Sequence, residues 1–172
     1  SIIEINSGKL IHSNGGSWQL NGNTITEVVE FDTDNPERVG KKVVFDIELS
    51  DNKLEIIGTN RTFYRIDDGS PGKLDGAWLM SARFRNGLMQ ERDINRPRKT
   101  MKILIDGFFQ WIAFDTSNFR FFGSGGGSYN TEYENNPEKG GYTEKIQFFS
   151  RDNNKVGLVL PFEYDRRWED WY

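Results

Sequence analysis

Residues 41–49 read KKVVFDIEL, which places Val43, Phe45, Ile47 and Leu49 on one side of an extended chain and Val44, Asp46 and Glu48 on the other. Alternation with a period of two predicts a strand with one buried face. The same pattern is legible over residues 24–31, 78–84, 100–105, 108–114, 142–149 and 156–164, and Thr62 to Ile66 adds a further strand. Turn-forming pairs such as Asn21-Gly22 and Asp106-Gly107 separate these runs at intervals of roughly eight to twelve residues, as in a meander of short strands. No stretch carries the 3.6-residue period of an amphipathic helix. The predicted class is all-β and antiparallel, with no helix longer than about two turns.

Sliding the chain against itself reveals an internal repeat in two blocks. At an offset of 111, Lys9-Leu10-Ile11 matches Arg120-Phe121-Phe122 and Gly15-Gly16-Ser17-Trp18 matches Gly126-Gly127-Ser128-Tyr129. At an offset of 117, Thr26-Glu27 matches Thr143-Glu144, Val29 and Phe31 match Ile146 and Phe148, and Val39-Gly40 matches Val156-Gly157. The change in offset is a six-residue insertion, placed by its Asn-Asn-Pro and Gly-Gly content within residues 134–141. The expected organisation is a partial copy over residues 1–68, a linker over 69–75 and a second copy over 76–172. The first copy lacks a counterpart of residues 76–111, so a homodimer by strand exchange is one way to cover its bare edge. Pairing of residues 62–66 with 78–84 is another, and it would set Arg65 beside Trp78.

Composition narrows the chemistry. The 172 residues contain no Cys and one His (His12), which leaves no disulfide, no thiolate nucleophile and no His cluster for a metal. A count of 22 Lys+Arg against 26 Asp+Glu gives a net charge of -4, the wrong sign for general nucleic-acid binding. No apolar run approaches the roughly 18 residues of a membrane span, and these residues include no charged-then-apolar export leader, as is equally expected of an exported protein whose leader has been removed.

Three clusters of residues stand out. Trp78, Phe109, Trp111, Phe114, Phe121 and Tyr129 could line a cup for a small apolar ligand or fill a barrel with side chains. Glu144 shares its strand face with Tyr142, Ile146 and Phe148, where a carboxylate must find a partner, Arg83 being one candidate, or sit near solvent. As a ligand anchor its loss should weaken binding; as a structural group it should tolerate replacement by Leu. Finally, Arg92, Arg96, Arg98 and Lys99 form a cationic cluster around Pro97, either an anion-holding site or a solvated loop. The glycine run over residues 123–128 has neither the Lys-Ser/Thr nor the helix of a phosphate loop, and reads as a tight turn or bulge needing positive φ.

The ordered series GAWLM (76–80), RPRKTMKIL (96–104), FQWIAFD (109–115), GGGSY (125–129), YTEKIQFFSRDN (142–153) and VG (156–157) resembles a lipocalin-like domain carried by exported proteins of anaerobic gut bacteria. The resemblance covers about 100 residues of the second copy and implies a calycin-type β-barrel and a periplasmic, cell-surface or secreted setting. The resulting expectation is a non-enzymatic binder, with no cofactor, of a small apolar or amphipathic molecule or a glycan. Its site would draw on Trp78, Arg83, Phe109, Trp111, Tyr129, Glu144, Arg96 and Arg98. The alternatives are an interaction module with solidly packed barrels and a barrel enzyme acting on a lipid-like substrate.

Overall fold

The computed structural model describes residues 1–68, 70, 72–167 and 170–171; Gly69 and Pro71 of the expected linker and Tyr172 lie outside them. The chain is all-β and antiparallel. Two short strands, β1 (Ile2–Ile3) and β2 (Leu10–His12), precede a five-stranded sheet. That sheet is a simple meander of β3 (Asn14–Asn21), β4 (Thr24–Asp32), β5 (Lys42–Ser50), β6 (Lys53–Ile56) and β7 (Arg61–Tyr64). After it come β8 (Gly76–Leu79), the ribbon β9 (Ala82–Arg85) and β10 (Leu88–Glu91), then β11 (Arg98–Ile105), β12 (Phe108–Asp115), β13 (Arg120–Glu132), β14 (Lys139–Phe149), β15 (Val159–Arg167) and β16 (Asp170–Trp171). Seven of these make a second sheet in the order β16-β15-β14-β13-β12-β11-β8, which curls into half a barrel. Among the described residues the helical content consists of two three-residue 3-10 turns, Pro36–Arg38 and Asn153–Lys155.

Cross-strand partners share a face of a sheet, so the register assigns the inner surface of the half-barrel. Trp78 lies opposite Lys102, Leu104 opposite Phe109, Lys102 opposite Trp111, Tyr129 opposite Glu144, and Tyr142 opposite Phe162. The core on this side is Leu74, Leu104, Phe109, Tyr129, Tyr142, Ile146 and Tyr164, with Trp78, Trp111, Phe149 and Leu160 packed against it. On the opposite face Ile112 and Phe114 pack with Met101, Ile103 and Phe121 around Phe31, which reaches across from β4. Phe31 lies 5.0 Å from the Phe114 ring and 6.0 Å from Phe121. The aromatic set read from the sequence is therefore split between two cores. Odd spacing from Phe109 and Trp111 along β12 sends Phe114 outward, and a register shift after Ala113 takes Phe121 with it.

The two sheets show matching local geometry. The pairing of β3 with β4 slips between Gly15 and Gly16, and that of β13 with β14 slips between Gly126 and Gly127. A Cβ on Gly16 would sit 1.9 Å from the Val28 carbonyl oxygen, and one on Gly127 would sit 2.0 Å from that of Lys145. These glycines allow close approach of two backbones, and neither needs positive φ; within residues 123–128 only Gly123 adopts one, at 147°. The glycine run is thus the middle of a strand and not a turn. Two residues separate the paired Asn21 and Thr24, while eight separate the paired Glu132 and Gly141.

One expected contact is absent. Instead of pairing with each other, β7 pairs with β6, and β8 pairs with β11. Arg65 bonds the Asp51 carbonyl and Asp67.

Candidate functional site

The inner aromatic residues form packed structure. Phe109 and Tyr129 are buried, and Trp78 donates its indole N–H to the Leu74 carbonyl at 2.8 Å. Trp111 leans on Phe149 at 5.3 Å, with the Arg151 guanidinium 5.4 Å from its ring. Tyr129 donates to Asp75 at 3.3 Å, and burial, aided by the Asp75 charge, pushes its phenol up to about 12.

Glu144 is held in this wall by Lys102, not by Arg83. Its side chain is 7% exposed and that of Lys102 is 23% exposed. The ammonium also lies 4.7 Å from the Tyr142 ring and 5.1 Å from that of Phe109. Burial lowers the Lys102 pKa from its ordinary value, and the Glu144 carboxylate works against that shift. The alternation of Thr100, Lys102 and Leu104 puts Lys102 on the core face, but nothing local in the sequence marks it as the partner of Glu144. The equivalent Glu27, between Trp18 and Val43, has no cation partner among the described residues.

The arginines gather elsewhere. Arg83, Arg92, Arg96 and Arg98 line one recess of about 370 Å³, together with Met80, Ala82, Gln90 and Glu91. The β9–β10 ribbon forms one wall and the start of β11 the other. Arg92 fixes the base, donating to the Thr100 hydroxyl at 3.2 Å and the Arg98 carbonyl at 3.1 Å. Arg98 donates to the Lys99 carbonyl at 2.6 Å and stacks on Phe122 at 3.9 Å. Arg83 reaches Gln90 at 3.4 Å. None of the four guanidiniums meets a carboxylate within 4.0 Å among the described residues. The nearby Asp93 is occupied in holding the loop, accepting from the Asn95 N–H at 2.9 Å. Burial first, then the positive charges of Arg92 and Arg151, lowers the Arg98 pKa, so a bound anion would relieve this crowding.

The expected site residues thus fall into two groups. Arg83, Arg96 and Arg98 meet in the recess, while Trp78, Phe109, Trp111, Tyr129 and Glu144 belong to the packed wall. No family model matches the chain, and no curated protein or solved structure is found to match it.

Proposed function

We propose that this protein is a non-enzymatic binder that holds the anionic group of a small amphipathic molecule in the arginine-lined recess at the mouth of its half-barrel. The observation that carries this reading is the gathering of four guanidiniums, without a carboxylate partner among the described residues, in an acidic chain. Guanidinium stays protonated and offers a fork of donors, which suits it to bind sulfate, phosphate or carboxylate and not to shuttle protons. Met80 and Ala82 beside the arginines supply an apolar flank for a ligand's hydrocarbon part. An acidic sugar offers the same anion without that part.

A lipocalin-like barrel, duplicated along the chain, is the architecture that accounts best for this mouth. Several paired features support the duplication. Ser13 and Ser124, both fully buried, accept from the amides of Thr33 and Ser150, and the hydroxyls of Thr33 and Ser150 bond back to the amides of Ser13 and Ser124. The hairpin ends differ by six residues, as the two offsets require. The short ladder of Arg166 with Trp171 and Arg167 with Asp170 repeats that of Leu49 with Leu54 and Ser50 with Lys53. The exported setting belongs to the same resemblance.

Decyl sulfate below its micelle concentration, decanol and glucuronate separate the ligand classes. Decyl sulfate should raise the melting temperature by mass action, decanol should not, and glucuronate should act only if a sugar acid suffices. The combined change Arg83→Ala and Arg96→Ala should abolish the response, because these side chains line the recess without anchoring β11. No shift with any anion would favour the second reading, a packed interaction module, which the filled inner wall recommends.

A further inference from the structure

The β9–β10 ribbon stands apart from both large sheets. It turns through Asn86-Gly87, whose φ values of 52° and 75° are those of a tight two-residue hairpin loop, with Arg85 opposite Leu88. Next to this turn Leu88 is 70% exposed and Met89 is also exposed, and Leu79, Met80 and Ile94 near the ribbon's base are exposed as well. A two-stranded ribbon is marginal in water on its own, and aliphatic side chains at its tip add nothing to its folding.

The charge around it is one-sided. Residues 79–99 contain six cations (Arg83, Arg85, Arg92, Arg96, Arg98, Lys99) and two acids (Glu91, Asp93), a net +4 in a chain of net -4, so the remainder carries -8. Cationic groups beside and behind an apolar tip, Arg85 across from Leu88 and the others toward the base, match a surface that is negative outside and hydrocarbon within. A soluble acidic polymer would satisfy the arginines but leave Leu88 and Met89 in water.

We propose that the β9–β10 ribbon docks the protein on an anionic lipid bilayer, with Leu88 and Met89 entering the interface and the exposed Arg85 and Arg96 lying among the headgroups. This goes beyond the binding of a soluble amphiphile, which uses the recess behind the tip, and the two can fail separately.

The test is co-sedimentation of the full chain with vesicles of phosphatidylcholine alone and of an equal mixture with phosphatidylglycerol. The mixed vesicles should bind the protein at least about ten-fold more tightly, in a salt-sensitive way. The double change Leu88→Asp and Met89→Asp should cost about ten-fold or more on mixed vesicles, while the melting temperature and the response to decyl sulfate stay those of the parent. Because the chain has no cysteine, Leu88→Cys carries a single polarity-sensitive fluorophore, whose emission should shift to the blue on mixed vesicles only. Equal binding to both vesicles, or unchanged binding by the double variant, overturns the proposal. So does heparin binding that the double variant retains when the fluorophore reports no insertion, since the partner would then be a soluble polyanion.

Discussion

Removing Glu144 should expose how the inner wall tolerates a charge. Glu144→Gln keeps the shape of the side chain but leaves the Lys102 ammonium without its anion, and breaking a buried pair from one side costs about 3–5 kcal/mol. Two features reduce this. Lys102 keeps 23% exposure, and its ammonium sits over the faces of Tyr142 and Phe109, a contribution of about 1 kcal/mol each where partly desolvated. The net expectation is a loss of about 2–3 kcal/mol near neutral pH, or roughly 4–12 °C in melting temperature for a chain of this size. The pH dependence has a definite sign. A lysine whose folded pKa is depressed binds fewer protons in the folded than in the unfolded state, so stability rises with pH between the folded value and about 10.5. In the variant the folded value drops further and the rise begins at lower pH. Thermal melts of parent and variant across pH 6 to 10 should therefore converge at the alkaline end. The double change Lys102→Met and Glu144→Leu removes both charges and should return to within about 1 kcal/mol of the parent. The tolerance for Leu expected at Glu144 alone therefore belongs to the pair. A Glu144→Gln protein that melts with the parent at every pH would refute this reasoning, because the ammonium would then need no anion.

Other expectations follow from backbone contact and from titration. Gly16→Ala and Gly127→Ala should each destabilise by about 3 kcal/mol or more, since the new methyl group meets a carbonyl oxygen, whereas Gly141→Ala, with its nearest contact at 3.9 Å, should be nearly neutral in a denaturant melt. Ser124→Ala removes the hydroxyl that donates to the Trp111 carbonyl at 2.7 Å and accepts from Gln110 at 2.9 Å, with an expected loss of about 1–2 kcal/mol by the same measurement. Tyr129, raised to about 12, stays protonated in the fold after an unfolded tyrosine has ionised, so it stabilises the protein below pH 10 and loses that contribution as pH rises toward 12. Tyr129→Phe should flatten this alkaline decline in melts followed by circular dichroism.

The strands were legible because their periodicity is local. Residues 42–47 alternate as KKVVFDIEL predicts, although Leu49 at the strand end is exposed, whereas residues 98–105 and 108–115 show no such alternation because β11 and β12 pack side chains into a core on each face. The run at 78–84 alternates as one strand would, yet the chain leaves the sheet at Met80 and re-forms as a separate ribbon; alternation cannot report a change of partner. The same limit hid the outward fate of Phe121, which depends on one slipped pair. For the site, the crowd of arginines around Pro97 was visible as a cluster, but Arg83 joins it only through the fold of the β9–β10 ribbon. Lys102 was written into the core face of its own strand, while its partner lies 42 residues away, beyond any local pattern.

The strand order also bears on how the chain folds. Every ladder in the two large sheets joins strands adjacent along the chain, except where β11 pairs with β8 across the intervening ribbon. Each hairpin can therefore close over a short loop before its neighbour exists, and no described ladder waits for the two ends of a barrel to find each other. Loop closure of this kind is entropically light, and topologies rich in local pairing reach the native state faster than those built on distant contacts. What local pairing does not supply is the meeting of the two sheets at Phe31, so Phe31→Leu is expected to spare hairpin formation and to act on docking, which refolding followed by stopped-flow fluorescence would check.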